Sequence, residues 1–496
     1  MNKKKEINYT FIISIIITIL VVAWGMISPS SFEHMAKSMF AFLVDRFGWF
    51  YTITMMSFVI FSIWIGFFSD YKNIRLGPQN SKPEYSFITW FAMLFSAGMG
   101  IGLVFWGAAE PLNYFVAPLN AEAGTKEAMR FAMQKSFLHW GFHPWANYAI
   151  LALALALMQF RYNKPGLVSS IFIPLIGEKR TNGIIGKVID IFAIFATVAG
   201  IATSLGLGTY QINSGLKFLF NIPESISVQL AIVISITIIY IISTVTGLDA
   251  GIKHLSNINV YIFTFVIILC FIIGPTIKIL DTLVESTGYY FQTFLSSGSE
   301  TGAFFDKKWY GSWTIFYFAW FIAWAPFVGT FIARISKGRT IQEFIIGVLI
   351  APSLASFIWF AIAGVMGMEQ GLEFAKEAIK STPTTLFSVL SNYNFGNIIS
   401  MICVCLLVTF FVTSANSSTF VLSMFSSNGN LNPSHSKKVL WGILQSGLTL
   451  ALMISTANGL QMLQTASIAV AFPFSFIMIF AMIAIIKVLG KEDNIN

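Results

Sequence analysis

The sequence predicts an all-α integral membrane protein of about twelve transmembrane helices, the last ten forming two five-helix halves of opposite orientation behind two leading helices. Three observations predict it. Of 496 residues, 56% are hydrophobic and 10% charged, with a mean hydropathy of +0.74, which overrules the several soluble domains that length alone would suggest. About twelve apolar runs approach the roughly 20 residues that a spanning helix needs. Two of these runs, five helices apart, are interrupted in their interiors by glycine or proline.

Taken in order, the runs lie near 8–28, 50–69, 86–109, 129–159, 184–212, 225–246, 257–280, 311–333, 341–368, 397–420, 439–456 and 464–488. The first follows Lys3-Lys4-Lys5 in the manner of a signal peptide. It is too long for such a core and lacks a small-residue cleavage site, so it reads as a retained helix. With the N-terminus inside, nineteen of the thirty Lys and Arg fall on the inner side, which predicts that both termini are cytoplasmic. The net charge of +8 therefore reports topology, and nothing points to nucleic acid.

The chain divides into 1–85 (cytoplasmic N-terminus and two leading helices), 86–280 (first repeat), 281–310 (an extracellular connection), 311–490 (second repeat) and a short cytoplasmic tail, 491–496. In the connection, Thr287-Gly288-Tyr289-Tyr290-Phe291 suggests an interfacial helix. Cys270, Cys403 and Cys405 lie in apolar runs and read as small core residues. They give no disulfide framework and no metal-binding pattern.

The stretch Ser96-Ala97-Gly98-Met99-Gly100-Ile101-Gly102-Leu103-Val104-Phe105-Trp106 sits inside the third run. Glycine is roughly 1 kcal/mol worse than alanine in a helix interior, so three alternate glycines invite local unwinding. In hydrocarbon, unwound backbone is tolerated only where it lines a cavity or is buried in protein. There its carbonyls can hold a cation and its N–H groups an anion. The other reading of Gly98 and Gly102 is close helix packing through a GxxxG pair. Five helices on, Trp313 to Ile332 is interrupted by Pro326 and Gly329. Because five is odd, the two halves cross the membrane in opposite senses, and breaks at matching positions of inverted halves point to a midplane substrate site.

Two aromatic clusters lie in run interiors: His139-Trp140-Gly141-Phe142-His143-Pro144-Trp145-Ala146-Asn147-Tyr148 and Tyr317-Phe318-Ala319-Trp320-Phe321-Ile322-Ala323-Trp324. On an ideal helix Trp140 and Tyr148 would lie about 80° apart, with Pro144 distorting the spacing. Ring faces attract a desolvated cation, and a cage of rings suits a quaternary ammonium group, which has no hydrogen to donate. The alternative is an interfacial belt or plain core.

His139 and His143 have HxxxH spacing, which leaves a membrane metalloenzyme as a second class of reading, although no acid stands between them as in HExxH. Late in the chain, Phe410-Phe411-Val412-Thr413-Ser414-Ala415-Asn416-Ser417-Ser418-Thr419 places consecutive hydroxyls in a spanning helix. These bond back to i−4 carbonyls, or Thr413 and Ser414 supply oxygen ligands to an alkali cation. No Asp or Glu lies firmly within the proposed core helices except Asp190, near one cytoplasmic end. An acid-based proton relay is therefore disfavoured, and sodium is the expected coupling ion.

At these residues the chain resembles the betaine/choline/carnitine transporter family along nearly its whole length. The resemblance rests on Gly98-Met99-Gly100-Ile101-Gly102, the His139–Tyr148 stretch, Ser312-Trp313-Thr314-Ile315-Phe316-Tyr317, Pro326-Phe327-Val328-Gly329 running into Ala333-Arg334-Ile335-Ser336, and Thr413-Ser414. It implies a LeuT-type 5+5 inverted repeat behind two extra helices, a homotrimer in the cell membrane, and no enzymatic activity.

The resemblance also implies residue roles. Trp140, Trp145 and Tyr148 with Trp320, Phe321 and Trp324 form an aromatic box for trimethylammonium groups, and Met99, Gly100 and Gly102 also face the substrate. Phe318 and Phe321 stand where the family usually has Trp, and Phe321 is the one at a box position. Carbonyls of Ser96, Met99 and Phe410 with the hydroxyls of Thr413 and Ser414 match one sodium site. Thr197 and Phe327 match a second, with Ile201 where another hydroxyl would be expected. Gly102 resembles the sodium-coupled betaine carriers, whereas proton-coupled choline carriers tend to have Asp there. The expected activity is sodium-coupled import of glycine betaine or a related compatible solute, with no cofactor. The alternatives within the family are proton-coupled choline transport or carnitine/betaine exchange. Short polar ends argue against tail-based osmotic activation.

Overall fold

Apolar runs become helices, and how each run meets its neighbours decides what faces the centre. The structure, a computed structural model, describes residues 8–98, 100–245, 249–454 and 459–491, with the side chains of 95–98 and 249–253 excepted. Every regular element among the described residues is helical, apart from one isolated β-bridge, Arg75 to Thr340.

Helix α1 (Tyr9–Ile27) buries Thr10, Ser14, Thr18 and Gly25 and exposes Ile12, Ile16 and Leu20. This inverts the pattern of a soluble helix. Lipid solvates isoleucine as well as a protein core does, so small residues take the packed face, where backbones can approach closely. Helix α2 (Pro29–Ile63) continues through a π-helical turn, Trp64–Phe68, to 40 residues. That is about 60 Å of helix, twice the hydrocarbon thickness. The run expected at 50–69 is its second part; the first part carries Glu33, His34, Lys37, Asp45 and Arg46.

The third run divides as its glycines suggested. Helix α3 (Phe87–Gly98) stops, Gly100 is extended, and α4 (Ile101–Val116) begins. Met99 lies outside the described residues. Helix α4 runs seven residues past the expected end at 109 and buries Glu110 completely. The expectation that core helices hold no acid but Asp190 is therefore corrected.

The fourth run, expected as one helix, is two: α5 (Lys126–Trp140) and α6 (Phe142–Ala156), separated at Gly141. A Cβ at Gly141 would stand 2.5 Å from the Phe137 carbonyl oxygen and 2.8 Å from the Tyr290 hydroxyl. The freed Phe142 N–H donates to that hydroxyl at 3.1 Å. Tyr290 comes from α10 (Thr276–Gln292), which begins earlier than the connection expected from 281.

Helices α7 (Ile184–Phe220), α8 (Ile226–Val245) and α9 (Asp249–Ile273) follow. After α10 come a π-helical turn, Gly311–Ile315, and α11 (Phe316–Ile335), then α12 (Ile341–Met368), α13 (Gly396–Phe425), α14 (His435–Ile454) and α15 (Gly459–Leu489). Here the sequence reading needs another correction. Helix α11 passes through Pro326 unbroken; one missing N–H leaves one carbonyl without its helical donor, and the turn survives.

Ten helices among the described residues are long and apolar enough to cross a bilayer. The divided α3–α4 pair and α14, which opens with His435, Lys437 and Lys438, are not among them.

Where α3 and α11 end on one side, their loops are laced together. Leu76 N–H donates to the Arg339 carbonyl, Gly338 N–H to Leu76, and Ile341 N–H to Ile74, at 2.8–2.9 Å. Arg75 reaches the Gly338 carbonyl at 2.8 Å, and Trp90 donates to Ser336 at 3.0 Å. Asp190 is a local brace: both its oxygens are taken by Ser169, at 2.9 and 2.8 Å. Cys270 and Cys403 are buried, whereas Cys405 is exposed on the outer face of α13 and is not a core residue.

Candidate functional site: an aromatic cavity beside α6 and α11

The site forms where α6 lies along α11. Asn147 of α6 donates to the Phe321 carbonyl of α11 at 2.8 Å, fixing the register of the two ring-bearing faces. The break at Gly141 puts Trp140 on the last turn of α5, while Trp145 and Tyr148 follow on α6. The 80° estimate for one continuous helix therefore does not apply.

All six expected box residues line one cavity of about 200 Å³. Trp140 stands edge-on to Trp320 (6.2 Å, 88°) and Phe321 (5.5 Å, 82°). Tyr148 meets Phe321 at 6.3 Å and Trp145 at 5.3 Å, and Trp320 meets Trp324 at 6.4 Å and 77°. Such edge-to-face contacts are the favourable arrangement for aromatic quadrupoles. Trp324 is tied outward, its N–H donating to the Gly200 carbonyl at 2.7 Å.

Gly100 and Gly102 line the same cavity, and no lining residue among those described is charged. A Cβ at Gly102 would stand 2.8 Å from Cη2 of Trp320 and 3.0 Å from Cη2 of Trp140. The two indoles close over the helix break only because that side chain is missing. Phe318, by contrast, is not in the cavity; it stacks on His143 at 5.4 Å and is fully buried.

Phe410, Thr413 and Ser414 also reach the cavity. The Thr413 hydroxyl donates to the Thr409 and Phe410 carbonyls at 3.0 and 3.2 Å, leaving its oxygen lone pairs free to accept or ligate. Ser96 and Met99, expected beside them, cannot join this description: Met99 lies outside the described residues, as does the side chain of Ser96. Phe327 lines the cavity, but Thr197 does not. Its hydroxyl is turned to the Ala193 carbonyl at 2.8 Å, two helical turns before the lining residue Ser204.

Sequence reasoning missed Ser204, Ser256, Asn259 and Ser417 as lining residues. Asn259 is buried, and neither amide atom has a hydrogen-bond partner among the described residues. A lone polar residue in an apolar run was the available signal, because a buried amide needs a partner.

The cavity's surroundings differ from one side to the other. Trp106, Tyr114, His139, Phe316 and Tyr317 pack beside the box and are all buried. Beyond them Lys135, itself buried, is ion-paired with Glu300. At the other end, toward the C-terminus of α11, Phe331 and Ser417 are exposed.

The two histidines do not share a face, because the helix breaks between them. His143 lies between the rings of Phe294 and Phe318. His139 is engaged at both nitrogens: Nδ1 with Glu110 Oε1 at 2.7 Å and Nε2 with Thr314 Oγ1 at 3.0 Å. No group of three His, Cys, Asp or Glu placed to hold a metal occurs among the described residues. Glu110 also accepts from the Trp140 N–H on Oε2 at 2.8 Å and from the Tyr114 hydroxyl on Oε1 at 3.1 Å. The sequence hid this residue by placing it one position past the expected end of its helix.

Comparison with known proteins identifies the family. The family model described as "BCCT, betaine/carnitine/choline family transporter" matches residues 9–494. The chain is 45% identical to the glycine betaine transporter OpuD of Bacillus subtilis (strain 168), over 98% of this chain and 95% of that one. It is 44% identical to the "Probable glycine betaine transporter" of Desulfitobacterium hafniense (strain Y51), over 99% of each. It is 41% identical to the ectoine/hydroxyectoine transporter of Virgibacillus pantothenticus, over 100% of this chain and 99% of that one. With rings from three helices around one uncharged cavity and a family match along nearly its whole length, the chain belongs to the betaine/carnitine/choline family of transporters, and the metalloenzyme reading falls away.

Proposed function

We propose that this protein imports glycine betaine or a related trimethylammonium compatible solute across the cell membrane by sodium symport with alternating access. The observation that carries the reading is the box itself. Six aromatic residues converge on one cavity whose described lining holds no charge. Such a site suits a solute with a bulky cation and no net charge: ring faces take the trimethylammonium group, and no fixed acid repels the carboxylate. The extended backbone at Gly100, leading into the N-terminus of α4, and the unpartnered amide of Asn259 are the groups suited to the carboxylate end.

For sodium, the support is Thr413, Ser414 and the Phe410 carbonyl beside the glycine break; hard cations prefer oxygen ligands. The second site, Thr197 with Phe327, has weaker support, because Thr197 faces its own helix. With both termini cytoplasmic, the exposed end of the cavity at Phe331 and Ser417 faces the cytoplasm, and the conformation is inward-open. The α3–α4 pair and α14 bring the spans to twelve, in a LeuT-type inverted repeat, and the assembly is a homotrimer.

Uptake of labelled glycine betaine into proteoliposomes, with and without an inward sodium gradient, tests the reading. Accumulation should require the gradient, and equal uptake without sodium would overturn the coupling. Given the relative named for ectoine and hydroxyectoine, unlabelled ectoine belongs in the same assay as a competitor. Preference for ectoine would replace the trimethylammonium assignment.

A further inference from the structure

Trp140 is held at both ends by one helix. Gly102 of α4 leaves room for the far edge of the indole, with a would-be Cβ 3.0 Å from Cη2. Eight residues along the same helix, about 12 Å, Glu110 accepts the indole N–H at 2.8 Å. The carboxyl group is fully buried; the Tyr114 hydroxyl and the Trp140 N–H donate to it, and His139 Nδ1 stands 2.7 Å from Oε1. His139 is oriented in turn by the Thr314 hydroxyl, from the turn that leads into α11.

We propose that Glu110 is a positioning residue of the aromatic box. It fixes the Trp140 ring in the cavity wall, and through the N–H bond it enriches the ring face that meets a cationic substrate. An indole that donates its N–H to a carboxyl oxygen releases electron density into its π system. The face of that system is what attracts a cation, and a hydrogen bond in a buried, low-dielectric setting is stronger than one in water. The acceptor sits behind the ring and not among the cavity-lining residues, so it favours a cation at the face without standing beside the substrate carboxylate.

This inference rests on the transport reading of the cavity, and a binding cycle separates the two. Glycine betaine binding is measured by calorimetry on the purified full-length protein in four forms: wild type, Glu110→Gln, Trp140→Phe and the double variant. Glu110→Gln should weaken betaine binding about threefold to tenfold. In the Trp140→Phe background, which has no indole N–H, the same change should cost nothing further. An equal cost in both backgrounds would show that Glu110 acts through something other than Trp140 and would overturn the proposal. Absence of betaine binding by the wild type would overturn the transport reading as well.

The carbon analogue 3,3-dimethylbutanoate supplies a control, since it has the shape without the positive charge. Its competition should be unchanged by Glu110→Gln, and a parallel loss would reduce Glu110 to a structural prop. Should Glu110→Gln fail to fold, the Raman difference between wild type and Trp140→Phe decides. A strongly hydrogen-bonded indole N–H supports the proposal, and a free one ends it.

Discussion

At the scale of single residues, the question is whether the rings act as a cage or as bulk. If the π face matters, each ring contributes roughly 0.5–2 kcal/mol, up to about thirtyfold in affinity. Apparent betaine affinity should then fall in the order Trp, Phe, Leu at Trp140 and at Trp324, with expression unchanged. A core account predicts that Leu serves nearly as well as Phe. The two phenylalanines that replace tryptophans should part company. Phe321→Trp adds ring face to the cavity and should tighten binding. Phe318→Trp pushes a larger ring into the packed space beside His143 and should only destabilise, by about 1–3 kcal/mol, read as a lower melting temperature.

Gly102→Asp carries two effects. Its Cβ must push Trp320 and Trp140 apart, and its carboxylate would repel that of a betaine while leaving choline untouched. Betaine uptake should fall, preference should shift toward choline, and sodium dependence should weaken; an unchanged substrate profile in an inserted variant would remove Gly102 from the site. The six rings were legible in the sequence because ring type is a local fact and the family resemblance marks the positions; helical spacing was no guide across the break at Gly141. Asn259 and Glu110 were not, because an isolated polar residue in or just beyond an apolar run reveals nothing of what it faces.

At the scale of elements, the informative comparison is between the breaks expected and the breaks found. The alternate glycines at 98–102 end α3 as anticipated, since their cost is intrinsic to the backbone. Pro326 does not break α11. Gly141, which drew no attention, divides the fourth run, because the stabiliser of that break is Tyr290, 148 residues away in sequence. A partner so remote cannot be read from local pattern.

Gly141→Ala should therefore be among the more damaging single substitutions, since the added methyl meets a backbone carbonyl that cannot move aside. Tyr290→Phe should cost about 1–3 kcal/mol by leaving the Phe142 N–H unpaired. Thermal melts in detergent measure both, and a wild-type melting temperature for Gly141→Ala would contradict the packing described. On α13, Thr413→Ala combined with Ser414→Ala should abolish sodium dependence and most uptake while leaving the helix intact, because both hydroxyls bond only within their own helix or face the cavity. Unaltered sodium dependence would rule this ion site out.

At the scale of the whole molecule, buried rings flank the cavity on one side, and its lining residues Phe331 and Ser417 are exposed on another. Sidedness can be read with a single exposed thiol, since Cys270 and Cys403 are buried. In a Cys405→Ser background, Ser417→Cys should react with a membrane-impermeant maleimide in inside-out vesicles and not in right-side-out ones, and betaine should slow the reaction. Labelling from the outside alone would reverse the assigned topology.

The lacing between residues 74–76 and 338–341 bears on how such a molecule can change which side it opens to. Sliding α11 past α3 at that end would break three backbone hydrogen bonds together with the Arg75 and Trp90 contacts. The two helices are thus tied together at that end, an arrangement that resists sliding more than pivoting. If access alternates as proposed, the extended backbone at Gly100 is the joint about which α4, with Gly102 at one end and Glu110 farther along, would turn relative to an α3 tied to α11. Such a rotation would move the two α4 contacts of the Trp140 ring, at Gly102 and at Glu110, together.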